Sequence, residues 1–139
     1  MHIGCPKEIK PQEFRVGLTP NAAHEAVNHG HTVTVETNAG IGAGFTDDDY
    51  TAVGAQIAGT AAEVFAAADM IVKVKEPQPV ERKMLREGQI LFTYLHLAPD
   101  PAQTKDLMES GATCIAYETV TDDRGGLPLL APMSEVAGR

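Results

Sequence analysis

Residues 70–77 read MIVKVKEP: an apolar, β-branched run into which Lys73 and Lys75 are set, closed by Glu76-Pro77. Such residues suit a pleated strand, and proline cannot continue a ladder, so the run predicts a strand over Met70–Val74. A helix is predicted from about Val80 to Arg86, followed by the strand QILFTY, Gln89–Tyr94. Pro101 opens a further helix, Gly111 closes it, and TCIAY, Thr113–Tyr117, is the next strand. Strands alternating with helices at this spacing predict an α/β domain. Its doubly wound, mostly parallel sheet would carry helices on both faces.

The first half repeats the scheme. Met1–Cys5 places Met1, Ile3 and Cys5 on one face before Pro6 closes the strand. Thr19-Pro20 reads as an N-cap with proline at the first helical position, and Gly30 stops that helix. HTVTVE, His31–Glu36, is strand-like. Asn38–Phe45 is a glycine-rich loop, and Thr46 with Asp49 resembles a capping box. A short helix, a strand near Gln56–Ala58 and an alanine-rich helix capped by Thr60 complete this half.

Composition narrows the function classes. The chain of 139 residues suits one domain, and its formal charge of −8 argues against a nucleic-acid surface. No run approaches the length of a membrane span, and the opening residues lack the charged and apolar regions expected of a signal peptide. Cys5 and Cys114 sit in apolar runs without metal-type spacing, which reads as buried, reduced thiols in a cytoplasmic protein. No metal site is expected. Ser134 reads as the N-cap of a last helix that begins at Glu135. A helix so short does not nucleate alone, so the sequence reads as part of a longer protein.

In an open α/β sheet, ligands bind beyond the carboxyl ends of the strands. Arg15, Lys75, His96 and Glu118 each fall just past a predicted strand, so two cations, an imidazole and a carboxylate converge on one edge. Arg15 suits a substrate carboxylate through paired hydrogen bonds, or else pairs with Glu13 or Glu8 on the surface. Lys75 lies nearer the crevice and suits a carbonyl oxygen. Lys73, on the same strand face, is expected in a structural ion pair because a buried lysine needs an anion. His96, between Leu95 and Leu97, is either a bonded core residue or a general acid/base; the neighbouring cations favour the second. His2, His24, His29 and His31 are expected to be solvated. Gly40-Ile41-Gly42-Ala43-Gly44 follows a strand but has Phe45 at the sixth position of the dinucleotide motif, so it reads as a turn-rich loop.

The segments IGCPKEIKPQEFRVGLTP, VKVKEP, QILFTYLHLA and LPLLAPMSEVAGR together resemble the N-terminal domain of the alanine dehydrogenase family, which includes the nicotinamide nucleotide transhydrogenase alpha subunit. The resemblance runs from Ile3 to Arg139. It implies a Rossmann-like substrate domain, residues 1–133, without the glycine fingerprint. Residues 134–139 would start the helix leading to a nucleotide domain. It further implies that Arg15 and Lys75 bind the substrate carboxylate and carbonyl, and that His96 is the catalytic acid/base with Tyr94 nearby. Met133 and Ser134 would line the nicotinamide end of the cleft, with Glu118 as a further substrate contact. The implied reaction is oxidation of L-alanine to pyruvate and ammonium with NAD, in a homo-hexamer, with this chain inactive alone. The histidine within YLHLA resembles the alanine dehydrogenase version. The alternatives are the transhydrogenase domain, which needs no amino-acid site, and a stand-alone module that binds a 2-oxo acid.

Overall fold

Each predicted strand forms, and a capping side chain or a proline starts most of the intervening helices. In the computed structural model, which describes residues 1–139, the strands are β1 His2–Cys5, β2 Thr32–Glu36, β3 Gln56–Ala58, β4 Met70–Val72, β5 Ile90–Thr93 and β6 Thr113–Ala116. The helices are α1 Pro20–Asn28, α2 Asp47–Thr51, α3 Ala61–Ala67, α4 Pro79–Arg82, α5 Pro101–Ser110 and α6 Ala131–Ala137. The Thr19 and Thr60 hydroxyls accept from the N–H groups of Ala22 and Glu63, both at 3.2 Å. Thr46 and Asp49 close the expected capping box, with the aspartate carboxylate accepting at 2.8 Å. Gly111 ends α5 in the left-handed region, at φ 71°.

All five strand pairings are parallel, in the order β3-β2-β1-β4-β5-β6. The chain therefore winds outward twice from the centre, and the reversal between β1 and β4 creates the switch point where a crevice opens. Alternation sorts the strand residues onto two faces. Val64, Phe65 and Ala68 around α3 pack with Ile71, Leu91 and Leu107 on one face. Cys5, Val33 and Val35 pack with Ala23 of α1 and Tyr50 of α2 on the other. Gly4 lets α3 approach: a Cβ there would lie 2.8 Å from both Ala68 Cβ and Val64 Cγ1. Helices cover both faces, though unevenly. Ile90, Phe92 and Ile115 belong to neither cluster, and Ile115 is 40% exposed.

Three boundaries differ from the sequence reading. β4 stops at Val72, because the chain beyond it loses its partner on the β1 side. α4 is Pro79–Arg82, not Val80–Arg86. Met84 and Leu85 continue it only as tight turns, and Arg86 is committed to the carbonyls of Phe65 and Ala68, at 2.6 and 2.7 Å. The third correction concerns Ser134, which is not an N-cap. α6 begins at Ala131, with proline near its start and Leu130 as the cap, so Ser134 lies inside the helix and its N–H donates to Leu130 O. Pro132 was the stronger start signal, since its fixed φ and missing N–H suit the first turn.

Both cysteines are unpaired; Cys5 is buried and Cys114 half-buried. Of the histidines expected in solvent, His24 and His29 are exposed. His2 is half-buried and shares a 2.7 Å hydrogen bond with Thr34, and His31 contacts the N-terminal amine at 3.0 Å. No helix is long and apolar enough to cross a membrane.

Candidate active site

Two loops leave the carboxyl edge of the sheet beside the switch point. After β4, Lys75 and Glu76 turn over the carboxyl edge; after β5, Tyr94, Leu95 and His96 do the same. Lys75, Glu76, Tyr94 and His96, together with Lys10, Glu118, Leu130 and Met133, line a cavity of about 260 Å³. Lys75, Tyr94, His96, Glu118 and Met133, all expected in a site, are thus brought into one space.

The geometry around His96 explains its orientation. Its φ is 48°, a left-handed conformation costly for a residue with a Cβ. Glu118 holds it there: its Oε1 accepts from His96 N at 2.7 Å and from Leu95 N at 3.0 Å. The carboxylate is therefore occupied by backbone rather than aimed freely into the cavity. Leu95 is buried and its carbonyl accepts from Gln103 Nε2 at 2.9 Å, so the turn is fixed on its inner side as well. His96 itself is exposed.

Tyr94 organises the opposite wall. Its ring meets Tyr117 edge-on, with centroids 4.8 Å apart, and its hydroxyl donates to Leu129 O at 2.6 Å. That bond ties the end of β5 to the turn before α6, which brings Leu130 and Met133 over the cavity. Ser134, one residue on, is exposed and outside the cavity lining.

Arg15 lies apart from this space. It lines an adjoining cavity of about 320 Å³, and Tyr94 borders both. Its Nε and Nη2 grip Glu13, the shortest contact being 2.6 Å, so the surface pairing weighed from sequence is formed. These bonds raise the Arg15 guanidinium above its usual range and hold Glu13 below the ordinary carboxylate range. Lys10, not singled out from sequence, pairs with Glu76 at the cavity edge.

Lys73 is in the structural ion pair expected for it, between Glu8 at 2.7 Å and Glu81 at 3.0 Å. Its partners escaped the sequence reading. The available signal was the requirement itself: a buried lysine at a strand end asks for carboxylates nearby, and Glu8 in the loop after β1 and Glu81 in α4 supply them.

The glycine-rich loop does not offer a phosphate site. The helix after it is five residues long, and Asp47, Asp48 and Asp49 fill its first turn. Three carboxylates where a pyrophosphate would sit exclude that anion. No group of histidine, cysteine and acidic side chains is placed to hold a metal ion.

The all-parallel sheet and the reversal of its order define a Rossmann-like α/β domain. The chain belongs to the family described as alanine dehydrogenase/PNT, N-terminal domain, which matches residues 4–137. It is 58% identical over its whole length to the alanine dehydrogenase of Halomonas elongata, covering 38% of that protein. It is likewise 52% identical to that of Bacillus subtilis, covering 36%. A solved L-alanine dehydrogenase structure superimposes with a TM-score of 0.96 at 55% identity, over all of this chain and 38% of the other. A Sinorhizobium meliloti transhydrogenase follows with 0.82 at 27% identity, covering 89% and 35%. The chain thus spans well under half the length of the curated relatives it matches.

Proposed function

We propose that this chain is the substrate-binding domain of an NAD-dependent alanine dehydrogenase, which converts L-alanine, NAD and water to pyruvate, ammonium and NADH. The observation that carries the reading is the shared cavity of Lys75, Tyr94, His96 and Met133 at the switch point, in a chain 50–58% identical to alanine dehydrogenases.

The chemistry follows from the charges. Lys75, the one cavity cation without a carboxylate partner, suits the substrate's carbonyl oxygen and stabilises negative charge developing there. Arg15 presents one edge of its guanidinium to Glu13 and keeps Nη1 for a substrate carboxylate. Glu13 thereby preorients the fork before substrate arrives. His96, exposed at the cavity mouth, takes up and returns the protons as water adds at the imine carbon and ammonia leaves. Glu118 serves by holding His96 rather than by touching substrate. NAD, when bound, accepts the hydride from the alanine Cα. Within this chain only the α6 end of the cleft, Met133 foremost, suits its nicotinamide ring, because the glycine-rich loop repels phosphate. Residues 1–133 form the substrate domain, and the remainder of the relatives' length would supply the dinucleotide site. A cytoplasmic homo-hexamer completes the reading.

The test is turnover by the native protein with L-alanine and NAD, alongside pyruvate binding. His96→Ala is expected to abolish turnover, a loss of at least about 10²-fold, while pyruvate binding survives. Turnover within a few fold of wild type removes His96 from the mechanism. Absence of alanine oxidation by the native protein refutes the reading as a whole.

A further inference from the structure

Lys75 reaches the cavity on backbone that only one neighbouring strand supports. On the β5 side the pairing continues past β4: Lys73 N donates to Phe92 O at 3.0 Å and Tyr94 N to Val74 O at 3.1 Å. On the β1 side no backbone bond continues, because β1 ends at Cys5. The reversal that opens the crevice thus leaves the Val74 N–H facing a gap. Buried donors must find acceptors, and here a side chain stands in for the missing strand. Glu8 Oε1 accepts from Val74 N at 2.5 Å and, more weakly, from Lys75 N at 3.3 Å. Its other oxygen accepts from Lys73 Nζ, which also meets Glu81. The three side chains are at most 2% exposed.

We propose that Glu8 is a positioning residue for Lys75: its carboxylate replaces the absent strand beside residues 74–75 and so sets where the Lys75 ammonium stands in the cleft. The role rests on the reading of that cleft as a 2-oxo-acid and amino-acid site. Lys73 and Glu81 hold the Glu8 carboxylate in place. Burial pushes the Lys73 ammonium down, yet the two carboxylates outweigh it and keep it charged.

Two properties of Glu8, reach and charge, separate by substitution. Glu8→Asp keeps the charge opposite Lys73 but is one methylene too short for the backbone. Glu8→Gln with Lys73→Met keeps a carbonyl acceptor at full reach and removes the ion pair. It leaves Glu81 as the one buried carboxylate, which burial already pushes toward its protonated form. In the native protein, amide exchange over residues 73–76 and kcat/KM for pyruvate are measured for both. Glu8→Asp is expected to speed exchange at least about tenfold and lower kcat/KM roughly 100-fold, as misplacement near 1 Å does. The double variant is expected to restore both to within about threefold of wild type, well under the tenfold that 1.4 kcal/mol represents.

The reverse order, equal effects, or unchanged exchange in Glu8→Asp overturns the proposal. Failure of either variant to fold also overturns it, since Glu8 would then serve overall stability rather than the cleft. Exchange needs no turnover, so a protein without alanine dehydrogenase activity still decides the backbone role on that arm alone.

Discussion

Removing the Glu118 carboxylate tests whether the turn that presents His96 is held or self-supporting. Glu118→Ala deletes the acceptor of two backbone N–H groups, at 2.7 and 3.0 Å. Each is a hydrogen bond to a charged oxygen in a half-exposed place, contributing roughly 1–1.5 kcal/mol. Their loss would cost about 2–3 kcal/mol. Part of this returns, because His96 at φ 48° relaxes once released and recovers about 1 kcal/mol. The net is about 1–2 kcal/mol in the local opening equilibrium, a factor of roughly 5–30. Hydrogen exchange at the Leu95 and His96 amides of the native protein reads that factor directly. The imidazole then samples positions away from the cavity, so kcat/KM for L-alanine is expected to fall roughly 10²-fold. Glu118→Gln keeps a carbonyl oxygen at the same reach, without the charge, and is expected to lose about half as much in free energy. Exchange and kcat/KM both within twofold of wild type in Glu118→Ala would refute the reasoning, because the positive φ would then need no support.

Three further outcomes are expected. The Glu13 carboxyl is depressed in the folded state by Arg15, so the pair's stabilisation is fully present above the unfolded glutamate value of about 4.3 and is lost as pH falls through the lower folded value. Because Arg15 is half-exposed the effect is small, about 0.5 kcal/mol. The difference in denaturation midpoint between wild type and Glu13→Gln should be present at neutral pH and vanish in strong acid; a difference that grows on acidification reverses the sign of the argument. Burial pushes the Cys5 thiol up to about 12, so an alkylating reagent at neutral pH should modify Cys114 and spare Cys5, as peptide mapping would show. Gly17→Ala places a Cβ 2.5 Å from Val72 O, and both segments at that contact are backbone. The substitution should lower stability by about 1–3 kcal/mol in thermal unfolding, and an unchanged midpoint would show that the Arg15 loop yields freely.

The alternation of strands and helices was legible because each signal is local. Thr19, Thr46 and Thr60 cap the helices that follow them, each through the N–H of the residue three positions on. Where two local signals competed, the reading went astray: Ser134 looked like a start, but Pro132 two residues earlier had already set the first turn of α6. The ending of α4 turned on Arg86, whose partners lie 18 and 21 residues away in sequence.

The site was legible in part for the same reason. Lys75, His96 and Glu118 follow strands, and in a parallel sheet the carboxyl ends share one edge, so their convergence follows from order along the chain. By itself, then, the sequence determined the strand and helix order, the edge on which the candidate site residues gather, and the need of Lys73 for an anion. The tertiary structure decided that Glu8 and Glu81 meet that need, that Glu118 turns its oxygens to the backbone of Leu95 and His96, and that Arg15 stands in a neighbouring cavity gripping Glu13. Each of those outcomes sets a side chain against a group in another element or loop. Such pairings depend on where the sheet reverses and how far apart its loops emerge, which no local pattern encodes.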